Sequence, residues 1–321
     1  MTHTLLGLHH VTATVAEAQP DLDFYADTLG LRLVKRTVNF DNHNVYHFYY
    51  GDERGTPGTI WTTFPYAGWG VPVGRKGEGQ ITVTSFSVPA GSLDRWAARL
   101  GERGTIARPA TSAFGSDAIA FSDPSGLAIE LVATERDPRT PWSGNGVDAA
   151  IAIRGLESVT MTVADPAPTL AFMTGVLGFE VVNEAEGRIR VAVNGDEPGK
   201  AVEILHGTGA GRAMNGLGTV HHVAFAIATG AQQLQLRQEL VDRGYAVTEV
   251  RDRQYFQSIY FREPGGVLFE VATMQPGFAV DEPLGELGRG LKLPWWEERY
   301  REEIEARLPP ILLPLAASRA G

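Results

Sequence analysis

Cysteine is absent from all 321 residues. That excludes disulfides, thiolate metal sites and thiol nucleophiles, so any metal must be held by nitrogen and oxygen. Long apolar runs are missing too. No stretch approaches the ~20 residues of a membrane helix, and the opening Met1-Thr2-His3-Thr4-Leu5 lacks the basic start and apolar stretch of a signal peptide. A cytoplasmic protein without a membrane partner is expected. Positive charge is scarce: 28 Lys and Arg stand against 38 Asp and Glu, a formal charge of -10. With no dense basic cluster the chain repels phosphate backbones, and nucleic acid is not an expected partner. What is present is a hydrophobic content of 43%, enough for a sizeable core in roughly two domains of ordinary size.

The chain repeats itself. Gly7-Leu8-His9-His10-Val11-Thr12-Ala13-Thr14-Val15 returns 148 positions later as Gly155-Leu156-Glu157-Ser158-Val159-Thr160-Met161-Thr162-Val163, and Leu22, Phe24, Leu29, Gly30 and Val34 map onto Leu170, Phe172, Leu177, Gly178 and Val182. A second shift, of 140 positions, carries Val83, Leu100, Gly104, Pro124, Gly126 and Glu130 onto Val223, Leu240, Gly244, Pro264, Gly266 and Glu270. Each of four units reads as a strand, a short amphipathic helix and three short strands separated by Gly, Asp and Asn turns. In the first unit the elements are expected near 8–15, 21–29, 31–37, 45–50 and 59–64. In the fourth they are expected near 220–227, 231–243 (with Leu234, Leu236 and Leu240 apolar), 245–251, 256–261 and 267–272. Residues 136–154, rich in Pro, Gly and Asp, read as a linker between halves. After Thr273 the chain leaves the repeat, and Glu297 to Leu308 reads as a short helix that caps the core before a Pro-Pro stop.

Because the units align with one another, equivalent positions can be compared. The first strands place His10, Thr82, Ser158 and His222 at one position; four residues after Gly58, Gly126, Gly199 and Gly266 stand Thr62, Glu130, Glu203 and Glu270. Only units one and four carry histidine. If those units face each other, His10, His222 and Glu270 converge as metal ligands, and Thr62 takes the fourth corner. Three protein ligands on one face leave about three octahedral positions for water, a chelating substrate and dioxygen, the arrangement of non-haem iron(II) oxygenases. Glu130 and Glu203 are read as structural carboxylates. A lone strand histidine is more often structural than a ligand, so His3, His43, His47 and His206 are assigned solvated or structural roles.

These residues give the chain a resemblance to the vicinal oxygen chelate superfamily of glyoxalase, bleomycin-resistance and extradiol dioxygenase proteins, and within it to the hydroquinone ring-cleaving dioxygenases. The marks are Leu8-His9-His10-Val11-Thr12, Gly55-Thr56-Pro57-Gly58-Thr59, Gly74-Arg75-Lys76-Gly77, His221-His222-Val223-Ala224-Phe225, the run Tyr260 to Glu270, and Leu293-Pro294-Trp295-Trp296 with Glu303-Ile304-Glu305. They span nearly the whole chain. The resemblance implies an α+β fold of four βαβββ modules paired into two open β-barrel-like domains, 1-140 (modules 5-66 and 78-135) and 150-275 (modules 153-207 and 217-275), followed by an extension, 276-321.

It also implies an Fe(II) cofactor, with Mn(II) as the other candidate ion, bound by His10, His222 and Glu270, and a small aromatic diol and O2 as substrates. Around the metal it implies Thr12, His221, Arg253 and Tyr260, with His9 beside them. Thr12 shares the strand face of His10. Tyr260 could donate to a substrate phenolate, and Arg253 could hold an anionic substituent or developing charge. Strict alternation points His221 away from the metal unless a bulge turns it inward. Phe64, Phe225 and Phe269 are pocket or core residues. Two other readings share the fold: a metal-dependent glyoxalase-type isomerase or transferase, which would want a carboxylate where Thr62 stands, and a non-enzymatic small-molecule binding protein. A homo-oligomer is compatible with all three.

Overall fold

A computed structural model describes residues 4–112, 114–185 and 187–313, so His3 lies outside the described residues. Unit one runs β1 (Leu5–Val15), α1 (Ala18–Leu22), a π-helical turn (Asp23–Thr28), β2 (Arg32–Asn39), β3 (Asn42–Gly51) and β4 (Ile60–Pro65). Unit two runs β5 (Gln80–Pro89), α2 (Leu93–Glu102), β6 (Arg108–Thr111), β7 (Asp117–Ser122) and β8 (Ala128–Thr134). Unit three has β9 (Gly155–Val163), α3 (Pro166–Gly175), β10 (Glu180–Ala185), β11 (Arg188–Ala192) and β12 (Ala201–His206). Unit four has β13 (Thr219–Ile227), α4 (Gly230–Asp242), β14 (Arg251–Asp252), β15 (Gln257–Arg262) and β16 (Leu268–Thr273).

The helices start where their caps dictate. Asp165 accepts from Ala167 N ahead of α3, and Thr229 accepts from Gln232 N ahead of α4. On α4 the pair Leu236 and Leu240, four residues apart, is buried, whereas Leu234 faces solvent. Two elements depart from the sequence expectation. The single helix expected near 21–29 is broken at Leu22 and widens: Leu29 N donates to Phe24 O, a five-residue step, and Phe24 and Tyr25 are buried in the wider turn. The strand expected over 245–251 shrinks to the two residues of β14. Thr248 meets β15 instead: its backbone N donates to Tyr260 O and its hydroxyl accepts from Tyr260 N, so a side chain replaces a ladder bond.

The sixteen strands form two eight-stranded sheets in the orders β14-β15-β16-β13-β1-β4-β3-β2 and β10-β11-β12-β9-β5-β8-β7-β6. Unit one is thus joined to unit four by the antiparallel pair β1–β13, and unit two to unit three by β5–β9. The sheets therefore cut across the expected division into 1-140 and 150-275, because each takes one module from either half. Large apolar residues such as Trp61, Trp96, Phe225 and Phe269 fill the core behind the sheets. The C-terminal extension lies along β2. Lys35 is fully buried there, its Nζ 2.6 Å from both Asp281 Oδ1 and Glu282 Oε2. A last short helix, α5 (Arg301–Arg307), buries Ile304 in the core. Among the described residues no helix is long and apolar enough to cross a membrane.

Candidate active site

The β1–β13 ladder is irregular at three places, and two of them fall on the first histidine of a His-His pair. Leu8 pairs with Phe225 and His10 with Ala224, which leaves His9 unpaired; Thr12 pairs with His222 and Ala13 with Val220, which leaves His221 unpaired. An extra residue in a strand re-aims its side chain. His9 and His221 consequently turn toward their neighbours: His9 Nδ1 lies 2.8 Å from His10 Nδ1, and His221 Nδ1 lies 2.8 Å from His222 Nδ1. Each Nδ1–Nδ1 contact needs one proton. A proton on His10 and His222 leaves both their Nε2 atoms as lone pairs pointing the other way.

Those lone pairs meet the carboxylate of β16. His10 Nε2 is 3.2 Å and His222 Nε2 2.8 Å from Glu270 Oε2, and the two Nε2 atoms are 3.3 Å apart. Donors at bonds of ~2.1 Å and right angles stand about 3.0 Å from one another, so the three atoms have the spacing of one octahedral face. Ser258 Oγ donates to Glu270 Oε1, whereas Oε2 is buried and receives no hydrogen bond. Only a cation between the three, or a proton on one ring, relieves this convergence. Burial lowers the pKa of His222, which disfavours the proton. Burial alone would raise the pKa of Glu270, but the two imidazoles hold it well below the ordinary carboxylate range. The donor set therefore fits a divalent ion, and among the described residues the cluster has three members.

The triad forms the floor of a cavity of about 320 Å³. Thr12 lines it, and its hydroxyl accepts from Thr62 Oγ1 at 2.8 Å, while Thr62 is also 2.9 Å from His47 Nε2. The Thr62 hydroxyl is thus occupied by neighbours. Phe64 and Phe256 form aromatic walls, whereas Phe225 and Phe269 are fully buried in the core. Tyr260 Oη accepts from Arg253 Nε at 3.0 Å, and Arg253 Nη2 reaches Asp41 Oδ2 at 3.0 Å. Burial raises the Tyr260 pKa, keeping it a proton donor. For Arg253 burial acts downward, but Tyr260 and Asp41 raise its pKa above the ordinary value. His221 lines the cavity, and burial followed by the charge of His222 lowers its pKa to about 3, so its ring is neutral near pH 7. His9 does not reach the cavity lining. It is buried behind His10, 4.9 Å centroid to centroid from Phe256, with a hydrogen bond to the backbone of Thr273.

Among the other histidines, His43 contacts Glu297 at 2.7 Å and His206 is exposed. His47, expected to be solvated or structural, is not solvated: it is buried, lines the cavity, and has its pKa held well down by burial and by the charges of His10 and His222. Its signal in the sequence is positional. Thr62 pairs with Tyr49 on β3, and His47 lies two residues away on the same face. Asp41, Phe40 and Asn39 also line the cavity from the β2–β3 turn, which no motif marks.

The second sheet puts a different cluster at the corresponding place. Glu157 is unpaired in the β5–β9 ladder, as His9 is in β1, and it accepts from Ser158 Oγ, the residue equivalent to His10. Arg190 bridges Glu157 at 2.5 Å and Glu203 at 3.0 Å, and Arg188 is 3.0 Å from Glu203. Ser85 donates to Glu130 at 2.9 Å.

Comparison with known proteins agrees with this architecture. The family model described as "Glyoxalase/Bleomycin resistance protein/Dioxygenase superfamily" matches residues 7–131 and 155–271. The chain is 41% identical over 310 residues to "Putative ring-cleaving dioxygenase MhqO" of Bacillus subtilis, covering 97% of this chain and 98% of that one. It is 34% identical over 304 residues to "Chlorohydroquinone/hydroquinone 1,2-dioxygenase" of Sphingobium indicum, covering 93% and 94%. A crystal structure of a Bacillus subtilis protein superposes with a TM-score of 0.92 at 40% identity over 97% of this chain and 99% of that one. Glyoxalase I of Zea mays, at 14% identity and a TM-score of 0.62 over 83% and 92%, shares the fold.

Proposed function

Since the chain belongs to the Glyoxalase/Bleomycin resistance protein/Dioxygenase superfamily, we propose that it is an iron(II)-dependent dioxygenase that cleaves the ring of a hydroquinone- or catechol-type diol. The observation that carries this reading is the convergence of three lone pairs, from His10, His222 and Glu270, on one octahedral face beneath an aromatic-walled cavity. Relatives named for ring cleavage and for hydroquinone support it. The engagement of Thr62 by Thr12 and His47 speaks against a fourth protein ligand, and so against a glyoxalase-type isomerase. The reaction is assigned to the cytoplasm, with no nucleic-acid or membrane partner.

A divalent iron held by the triad would supply Lewis acidity toward a diol hydroxyl and a path for electrons to dioxygen; Mn(II) takes the same donor types. The remaining work falls to side chains. Phe64 and Phe256 hold the ring and keep water from it. The neutral His221 ring accepts from His222 at Nδ1, so it carries its own proton on Nε2 and can donate it to an oxygen in the cavity. Tyr260 accepts from Arg253, which leaves its own proton to donate to an oxygen in the cavity. Arg253 stabilises negative charge that develops beside Tyr260.

The test is metal analysis together with oxygen uptake by the protein reconstituted anaerobically with iron(II). A panel of hydroquinones and catechols is run beside methylglyoxal–thiol adducts. Uptake with a diol and none with the adducts is expected. Isomerisation of the adduct, or no uptake with any diol, would sink the proposal.

A further inference from the structure

The strand order of the first sheet ends in β14 on one side and β2 on the other. They come together at the cavity mouth without strand pairing. Asp41, in the turn between β2 and β3, reaches across to unit four with Oδ1 3.1 Å from Arg251 Nη1 and Oδ2 3.0 Å from Arg253 Nη2. The turn is built to hold that carboxylate: Asp41 N donates to Asn39 Oδ1 at 2.9 Å, and Asn39 Nδ2 donates to Tyr66 Oη at 2.8 Å. Phe40, beside it, packs on Trp296 of the C-terminal extension, 5.6 Å centroid to centroid.

We infer that Asp41 is a specificity-determining residue, which occupies the arginines at the mouth and thereby restricts the cavity to uncharged aromatic diols. The inference rests on the proposed diol chemistry. Arg253 lines the cavity and is largely buried, and its Nε and Nη2 are taken by Tyr260 and Asp41. A ring bearing a carboxylate would have to displace Asp41 from Arg253 or lie against it, like charge on like charge. A neutral hydroquinone meets no such opposition. With asparagine at 41, two guanidinium groups would face the mouth without their carboxylate, and a carboxylated ring would find a partner for bidentate pairing.

The test reads binding rather than turnover. Calorimetry under strict anaerobiosis compares hydroquinone with 2,5-dihydroxybenzoate on the metal-loaded wild type, Asp41→Asn and Asp41→Glu. The wild type is expected to prefer hydroquinone. Asp41→Asn is expected to move the ratio of the two Kd values toward the carboxylated ring by about tenfold or more, and Asp41→Glu to keep the wild-type preference. A ratio within twofold of wild type in Asp41→Asn, equal affinity of the wild type for both rings, or no binding of either would overturn the inference. Oxygen uptake on the same preparations separates the two claims. Absent uptake with a shifted ratio defeats the dioxygenase reading alone, and uptake with a flat ratio defeats the role of Asp41 alone.

Discussion

The two sheets are copies of one design with opposite solutions to the same buried position. In each, an unpaired strand residue leans on its successor: His9 on His10 and His221 on His222 in the first sheet, Glu157 on Ser158 in the second. In the first sheet three lone pairs converge, and among the described residues no protein cation lies between them. In the second, guanidinium groups fill the space, Arg190 binding Glu157 and Glu203. The backbone therefore supplies the convergence, and side chains decide whether the charge there is balanced by the protein's own arginines or by an ion taken from solution. The family likeness concerns the frame; the proposed reactivity rests on one sheet.

The sharpest way to break this contrast is at the triad. His222→Ala should abolish oxygen uptake and lower metal affinity by more than the ~100-fold that outer-shell changes reach, read by metal content after dialysis. Unchanged metal content would make the triad merely structural. In the second sheet, Arg190→Met should leave metal content untouched and cost about 3 kcal/mol of stability in urea unfolding, because two largely buried carboxylates lose the cation they share, Glu157 keeping Ser158 and Glu203 keeping Arg188. Metal loss in that variant would mean that the sheets are not independent. Thr62→Val, which cuts the link between Thr12 and His47, should cost about 1 kcal/mol and reduce turnover while metal stays bound. A further contrast concerns a buried carboxyl that only one copy carries. Asp21 is buried under Tyr50 and Thr63, whereas its equivalent in unit three is Thr169. Burial raises the Asp21 pKa to about 8, above an unfolded value of about 3.9. The folded state thus holds the proton more tightly, and stability from this group is full at acid pH and is lost as pH rises through 8. Asp21→Asn should flatten the fall in unfolding free energy between pH 5 and 9; an unaltered slope would place the titration elsewhere.

The internal repeat made much of this legible. Aligning four copies isolated His10, His222 and Glu270 and suggested that units one and four meet, because only those copies bear histidine. The same alignment could not reveal that Glu157 and Ser158 would find an arginine, since Arg190 lies on a strand outside the compared positions. His221 was readable only conditionally, because a bulge is a property of pairing between two strands and leaves no mark on either alone. His47 and Asp41 were missed for a related reason. One reaches the cavity through the register of β3 on β4, the other through the approach of two sheet edges. Sequence order places units one and two side by side in the chain, whereas strand pairing joins the first unit to the last.

That pairing dictates an order of events during synthesis. β1 emerges early, but its partner β13 follows some two hundred residues later; His10 and His222 are 212 positions apart. The first sheet is thus closed by contacts of very high sequence separation, while units two and three can pair sooner and give the chain a finished second sheet to build upon. Until unit four arrives, β1 has an open edge and the metal position has one histidine. If the triad binds metal as proposed, metal uptake would report the last stage of folding, and a truncated or stalled chain would be unable to assemble the site.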